Sequence, residues 1–355
     1  MKKIILTGGG TAGHVTPNIA LMPALKAQGF EISYIGSKDG IEKSLIEATG
    51  VPFYGISTGK LRRYFSLKNF SDPFRVIAGM GQARKILKKV KPDVIFSKGG
   101  FVSVPVVQAA SRLHIPVVLH ESDMTPGLAN KLMLNSATTI CCNFPETLRH
   151  LPEGKAVHTG TPIRAELLQG DAEEGCRISG LDHSKPIILI MGGSQGATAI
   201  NDAVRRILST LLKEFQIIHL CGKGKLNPAL NSKQGYYQTE YASDELKDLF
   251  AACDMVISRS GANAICEIAA LGKPNLLIPL SLAASRGDQI LNAQSFEKQG
   301  FSKVLLEENV NDETLLTSIR ELYADRDRYI RAMADAGSAG AVDAVVNVIL
   351  KACQD

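Results

Sequence analysis

The chain has 355 residues, 45% of them apolar, with a net charge of +5 and seven cysteines. That is ordinary globular content, enough for two domains that each bury a core. No cysteine pair has CxxC spacing, and the neighbours Cys141 and Cys142 are poorly placed to bridge, which fits a reduced compartment. Glycines and His14 interrupt the start Met1-Lys2-Lys3-Ile4, so no signal peptide is expected, and no apolar run approaches the roughly 20 residues of a membrane span. The reading is a cytosolic protein.

The first half alternates strand and helix. Residues 4–7, 32–35, 94–97 and 117–120 read as short buried strands, and 19–28, 74–90 and 104–113 as helices. Strands separated by helices imply a parallel sheet, whose ligands sit beyond the strands' carboxyl ends. The loops there are Gly8–Gly13, Ser97–Phe101 and His120–Asp123. Between Lys60 and Lys91 stand ten basic residues and one acid, Asp72, a local charge of +9 that leaves about −4 elsewhere. Charge concentrated this way predicts an anionic partner at one place.

A hinge candidate follows at Gly160-Thr161-Pro162-Ile163-Arg164, and the pattern restarts. Strands are predicted over 187–191, 216–220, 255–257 and 275–278, and helices over 198–212, 244–252, 263–271 and 289–299. The tail, 314–353, is helical by period, and a last helix near 342–353 can cross back onto the first domain. No period of 20–50 residues repeats, so this is no solenoid. The domains are then 1–160, with the helix about 340–355 packing back on it, and 161–339.

Two glycine-rich turns stand at matching places in the halves. Gly8-Gly9-Gly10-Thr11-Ala12-Gly13-His14 follows the first strand, and Gly192-Gly193-Ser194-Gln195-Gly196 follows the strand at 187–191. Such turns expose backbone N–H groups at a helix start, a seat for phosphate or developing negative charge. The first turn matches the dinucleotide fingerprint, but the second strand lacks the ribose-binding acid at its end: Asp39 comes too late. A tight turn without ligand also fits. His14 tips the reading toward function, as a general base near neutral pH.

In the second half Ser194 suits a phosphate, and Ser258-Arg259-Ser260-Gly261 opens a helix where backbone N–H groups can meet a diphosphate. Glu267, one turn inside, suits a ribose diol, and Gln289 and Asn292 share a helix face suited to sugar hydroxyls. An ordinary capped helix is the plainer alternative for 263–271. No Walker lysine follows either turn, which argues against an NTPase.

These motifs, with the Lys98–Ser103 loop, the run His120-Glu121-Ser122-Asp123 through Asn130-Lys131, and Asp288-Gln289-x-x-Asn292, resemble in order and spacing the peptidoglycan glycosyltransferases of family 28 over essentially the full length. The resemblance implies a GT-B fold: α/β, two Rossmann-like domains with parallel sheets facing across a cleft. It implies a UDP-N-acetylglucosamine donor on the C-terminal domain and an undecaprenyl-linked acceptor, lipid I, at the N-terminal one, with lipid II as product. Thr11, Ala12 and Gly13 would form the N-terminal domain's side of the donor and transfer site, and Asp123 and Asn130 would also bind substrate. Ser194 and Arg164 would contact the donor's phosphate region, Gly261, Ala262, Asn263, Ala264, Ile265 and Cys266 would receive its diphosphate, and Asn201 would also bind substrate. Glu267 would hold ribose, Gln289 and Asn292 the sugar, and the backbone near Ala242 the uracil edge. Three positions depart from the family: Ala12 where glycine is frequent, Asp123 where many members have asparagine, and Ala264 where some have threonine or serine.

The implied reaction is an inverting displacement that needs a base and charge stabilisation on the leaving diphosphate. His14 is the first candidate base, then Asp123, then Glu121. No metal and no cofactor are expected, since helix N-termini and Arg164 can carry the charge. Apolar residues interleave with the cations between Lys60 and Lys91, which predicts peripheral attachment to an anionic membrane at its cytoplasmic side. A solvated basic face is the alternative, and nucleic acid is not expected. Cell-wall synthesis proteins are further partners. The rival readings are another GT-B lipid glycosyltransferase, a UDP-N-acetylglucosamine 2-epimerase and a non-catalytic nucleotide-sugar-binding scaffold.

Overall fold

The computed structural model describes residues 1–59, 68–193, 196–285, 287–336 and 340–354. The chain divides into two compact units, Met1–Arg164 with Gly340–Asp355, and Ala165–Ala339. The Gly160 carbonyl accepts a hydrogen bond from His120 Nε2 at 2.8 Å, which ties the 160–164 segment to the first unit.

The first unit carries β1 (Lys2–Thr7), β2 (Phe30–Ser37), β3 (Phe53–Ile56), β4 (Val94–Ser97), β5 (Val117–Glu121), β6 (Thr139–Cys142) and β7 (Ala156–His158). They form one sheet in the order β3-β2-β1-β4-β5-β6-β7, with every pairing parallel. Its helices are α1 (Thr16–Ala27), α2 (Ile41–Glu47), α3 (Lys68–Val90), α4 (Val104–Ser111) and the single turn α5 (Leu128–Lys131). The central strands β1, β4 and β5 are covered on both faces, which is why they read as unbroken apolar runs. The missed strands β3, β6 and β7 are three or four residues long; β3 and β7 are partly exposed and carry no such run.

The second unit repeats the plan with β8 (Ile187–Met191), β9 (Gln216–Leu220), β10 (Tyr236–Thr239), β11 (Met255–Ser258), β12 (Asn275–Leu277) and β13 (Ser302–Val304). Its sheet runs β10-β9-β8-β11-β12-β13, again all parallel. The helices are α6 (Ala172–Ser179), α7 (Thr198–Leu211), α8 (Leu246–Ala252), α9 (Ala262–Ala270), α10 (Asp288–Lys298), α11 (Asp312–Ala324) and α12 (Arg326–Ala336). On α7, Ile200, Ala203, Val204, Ile207, Leu208 and Leu211 recur at three- and four-residue steps and fill the core. The last helix, α13 (Ala341–Ala352), sends Val345, Val346 and Ile349 into the core of the first unit.

The stretch Arg326–Ala352 has the length and hydropathy of a membrane span. Its two helices, however, bury their apolar faces in different cores, Tyr329 and Met333 in one and Val345 and Ile349 in the other. That is the pattern of core helices.

In both sheets the strand order reverses beside the first strand. The switch points lie at the carboxyl ends of β1 and β4 in one unit and of β8 and β11 in the other, where open parallel sheets bind ligands. Both glycine turns stand there.

Candidate active site

In the first unit the turn after β1 is not a bare phosphate cradle. The Glu42 side chain, on α2 and fully buried, accepts from Gly10 N at 3.2 Å, Ser37 N at 2.8 Å and Ser37 Oγ at 2.5 Å. Three glycines make room for it. A Cβ on Gly9 would lie 2.6 Å from the Glu42 carboxyl carbon, one on Gly36 2.8 Å from its Cγ, and one on Gly40 2.3 Å from its oxygens. No motif points directly to this carboxylate; the glycines at 36 and 40, flanking the end of β2, are the signal that could have found it.

The turn continues into a 3₁₀ turn, Ala12–His14, and α1 starts at Thr16 rather than near residue 19. Thr11 is exposed, and Ala12, Gly13 and His14 are half-buried. His14 Nδ1 lies 3.1 Å from the Lys98 carbonyl. A carbonyl only accepts, so the neutral ring carries its proton on Nδ1 and Nε2 keeps the lone pair. Burial holds this imidazole below its ordinary 6.5; the Lys98 carbonyl opposes, the Lys98 ammonium adds, and Asp123 and Glu42 oppose.

The loop after β4 closes on this turn. Gly99 and Gly100 have φ of +88° and +82°, a region that favours glycine. A Cβ on Gly100 would sit 2.5 Å from the Gly9 carbonyl oxygen and 3.3 Å from the His14 ring. Lys98 is buried, and its ammonium donates to His120 Nδ1 and to Ser122 Oγ, both at 2.7 Å. His120 then donates from Nε2 to Gly160, and burial followed by the Lys98 charge holds its pKa well below 6.5.

The two acids of the β5 loop separate in role. Glu121 is buried and accepts from Asp123 N and Gly127 N, each at 3.0 Å, and from Asn130 Nδ2 at 2.7 Å. Burial, then Asp123, raises its pKa to about 7. Enclosed by these donors, Glu121 shapes the 121–130 loop and is poorly placed as a base, and Asn130 works with it. Asp123 is half-buried, with its carbonyl held by Thr147 Oγ at 3.3 Å.

A cavity of about 920 Å³ opens in this unit. Its wall includes Gly10, Thr11, His14, Lys38, Arg75 and Phe101.

In the second unit the turn after β8 has Gly193 and Gly196 at φ +77° and +65°, and a Cβ on Gly196 would strike the Cys221 carbonyl oxygen at 2.0 Å. Ser194 lies outside the described residues. Asn201 is buried; it donates from Nδ2 to the Cys221 carbonyl at 2.8 Å and pairs through Oδ1 with His219 Nε2 at 3.0 Å. Its amide therefore positions the turn rather than reaching for a ligand. Burial, then Arg205, lowers His219 to about 3, so the ring stays neutral.

After β11, Gly261 caps α9 and puts that helix's first turn at the switch point. Ala262 and Ile265 are buried, whereas Asn263, Ala264, Cys266 and Glu267 are half-buried. Ser260 Oγ donates to the Gln289 carbonyl at 2.7 Å, Asn292 Nδ2 donates to the Ser260 carbonyl at 3.2 Å, and Leu280 N donates to Gln289 Oε1 at 3.1 Å. Asn292 is fully buried, so it supports the α9 loop from beneath, contrary to the expectation of a sugar contact. Arg259 also turns inward, donating to the carbonyls of Ile278 and Pro279 at 3.0 and 3.2 Å and pairing with Glu307. Ala242 is buried in the segment after β10, and Arg164 is half-buried in the first unit. Among the described residues no three His, Cys, Asp or Glu side chains gather as a metal site.

The model of the glycosyltransferase family 28 N-terminal domain matches residues 4–142, and that of its C-terminal domain matches 187–348. A UDP-N-acetylglucosamine--N-acetylmuramyl-(pentapeptide) pyrophosphoryl-undecaprenol N-acetylglucosamine transferase of Lachnospira eligens is 63% identical over 98% of this chain and 99% of its own. A protein of the same name from Clostridium perfringens is 56% identical over 98% of each chain. The crystal structure of Acinetobacter baumannii MurG matches with a TM-score of 0.74 at 25% identity, covering 99% of this chain and 100% of its own. A UDP-N-acetylglucosamine 2-epimerase from Neisseria meningitidis, 14% identical with a TM-score of 0.69 over 99% of this chain and 100% of its own, shares the fold.

Proposed function

The chain belongs to glycosyltransferase family 28, and from that premise we propose how its residues perform the family's reaction. It moves N-acetylglucosamine from UDP-N-acetylglucosamine to the undecaprenyl-linked N-acetylmuramoyl-pentapeptide, making lipid II. The observation that carries this reading is the end-to-end identity of 56–63% with enzymes named for that transfer. The 2-epimerase reading rests on shared fold alone and is not favoured.

The acceptor's 4-hydroxyl oxygen attacks the anomeric carbon, the bond from that carbon to the diphosphate oxygen breaks, and UDP leaves with the electron pair. The hydroxyl proton goes to His14 Nε2. Two observations support His14: its Nδ1 is already occupied by the Lys98 carbonyl, and its ring lines the cavity of the first unit. Asp123 is the second candidate and Glu121 the third, the latter disfavoured by its enclosure. Base catalysis of this kind is worth about 10²–10⁴ in rate.

The second unit receives the donor. The first turn of α9, Gly261 to Cys266, takes the diphosphate, with Ser194 and Arg164 as further phosphate contacts. Glu267 holds the ribose, Gln289 the sugar and the backbone near Ala242 the uracil. Asn201 and Asn292 hold the loops that do this. Thr11, Ala12, Gly13 and Asn130 shape the acceptor side.

The lipid-linked acceptor calls for a membrane surface. On α3, Gly79, Ala83 and Leu87 face inward four residues apart, while Arg75, Ile77, Arg84, Lys85, Lys88 and Lys89 are exposed. Residues 60–67, with the rest of the apolar–basic pattern, lie outside the described residues. This face supports salt-sensitive peripheral binding at the cytoplasmic side of the cell membrane, each cation near an anionic surface adding about 1 kcal/mol.

The test gives purified protein UDP-N-acetylglucosamine with and without a lipid I analogue. A β-linked disaccharide formed only with acceptor supports the reading; UDP release without acceptor, or epimer formation, overturns it.

A further inference from the structure

Lys98 is a buried lysine that the reaction as written does not use. It follows β4, one residue before the Gly99-Gly100 pair, and touches both loops that carry candidate bases. Its carbonyl accepts from His14 Nδ1 at 3.1 Å. Its ammonium donates to His120 Nδ1 and Ser122 Oγ at 2.7 Å each. Those partners are themselves fixed, His120 by the Gly160 carbonyl at 2.8 Å and the Ser122 carbonyl by Asn143 Nδ2 at 3.2 Å. An ammonium only donates, so His120 Nδ1 must be unprotonated, and the one tautomer satisfies both its contacts. Buried at 1% exposure, this charge is little screened by solvent.

We propose that Lys98 is a positioning residue for the transfer base: its carbonyl fixes which nitrogen of His14 faces the acceptor, and its buried ammonium, braced by His120 and Ser122, places a positive charge near that ring. The proposal rests on the reading of His14 as base. A base must be unprotonated before it acts, and a neighbouring cation disfavours the imidazolium. The other charged groups facing the ring are Asp123, from the loop after β5, and Glu42, from α2, which act in the opposite sense to the Lys98 charge. Lys38, Asp39 and Arg75 line the same cavity. Burial does most to keep His14 neutral, and the Lys98 charge adds to it against the Lys98 carbonyl and the two carboxylates.

The experiment uses the full chain. In the wild type, ¹⁵N spectra of labelled histidine show His14 as the Nδ1–H tautomer; an Nε2–H tautomer overturns the proposal. In Lys98→Met the acid limb of the kcat–pH profile moves to higher pH, and Lys98→Arg returns it toward the wild-type position; a limb unmoved in Lys98→Met overturns the proposal. Should Lys98→Met not fold, Lys98→Gln, which keeps a donor toward His120 but no charge, carries the same test: its acid limb moves to higher pH, and an unmoved limb overturns the proposal. His14→Asn separates the two claims, because full turnover in that variant removes the base reading while leaving the tautomer result standing.

Discussion

Glu42 is the residue on which the first glycine turn depends, and its removal has a calculable effect. Glu42→Ala takes the acceptor from three donors, Gly10 N–H, Ser37 N–H and the Ser37 hydroxyl. The hydroxyl can rotate to another partner; the two backbone donors cannot. Gly10 is exposed and both backbone bonds are only part-buried, so each loss falls at the low end of the about 1–3 kcal/mol of a buried unpaired donor, about 2 kcal/mol for the pair. For a domain of this size 1 kcal/mol lowers Tm by about 2–4 °C, and this loss therefore lowers it by about 4–8 °C. Glu42→Gln is the informative partner. With its oxygen toward Ser37 it turns an NH₂ group toward Gly10 N–H, so it keeps most of the stability yet loosens the turn that carries His14. Calorimetry paired with transfer rates should show Glu42→Ala strongly destabilised, and Glu42→Gln mildly destabilised but slow. A Glu42→Ala protein melting within about 2 °C of wild type would refute the account of the turn.

Gly100→Ala places a left-handed alanine, at a cost of about 1–2 kcal/mol, with its methyl against the Gly9 carbonyl and the His14 ring; melting should drop modestly and kcat sharply, and an unchanged kcat would contradict the packing. Glu121 makes stability depend on pH with a stated sign. Its carboxyl rises from 4.5 unfolded to about 7 folded, so the native state binds more protons in that window and stability falls as pH rises from about 4.5 to about 7. Urea titrations should show that slope, and Glu121→Gln should flatten it; an equal slope in both proteins would reassign the effect. Flotation with anionic vesicles should capture the protein at low salt and release it as salt rises, and charge reversal of Lys85, Lys88 and Lys89 should weaken capture; no capture at low salt would count against the membrane face.

What the sequence revealed and what it hid follow from burial. Strands β4, β8 and β9 were legible to the residue because central parallel strands are buried on both faces and mostly apolar, whereas β7 (Ala156–His158) and β10 (Tyr236–Thr239) lie at sheet edges and carry no such run. The glycine turns were legible because local backbone demands write themselves as glycine. Glu42 was not: Ile41-Glu42-Lys43 looks like any surface helix, and its burial arises from glycines that the fold gathers around it. Asn201 and Asn292 show the converse. A polar residue beside a ligand loop reads alike whether it touches the ligand or braces the loop, and only their burial reveals the bracing.

The central claim is that His14 Nε2 takes the acceptor proton while Nδ1 is held by Lys98. His14→Asn tests it most directly, since the asparagine amide can still donate to the Lys98 carbonyl from near the Nδ1 position but offers no base. With both substrates saturating, kcat should fall by about 10²–10⁴, with the donor KM little changed. A variant turning over within a factor of about three of the wild type would contradict the account.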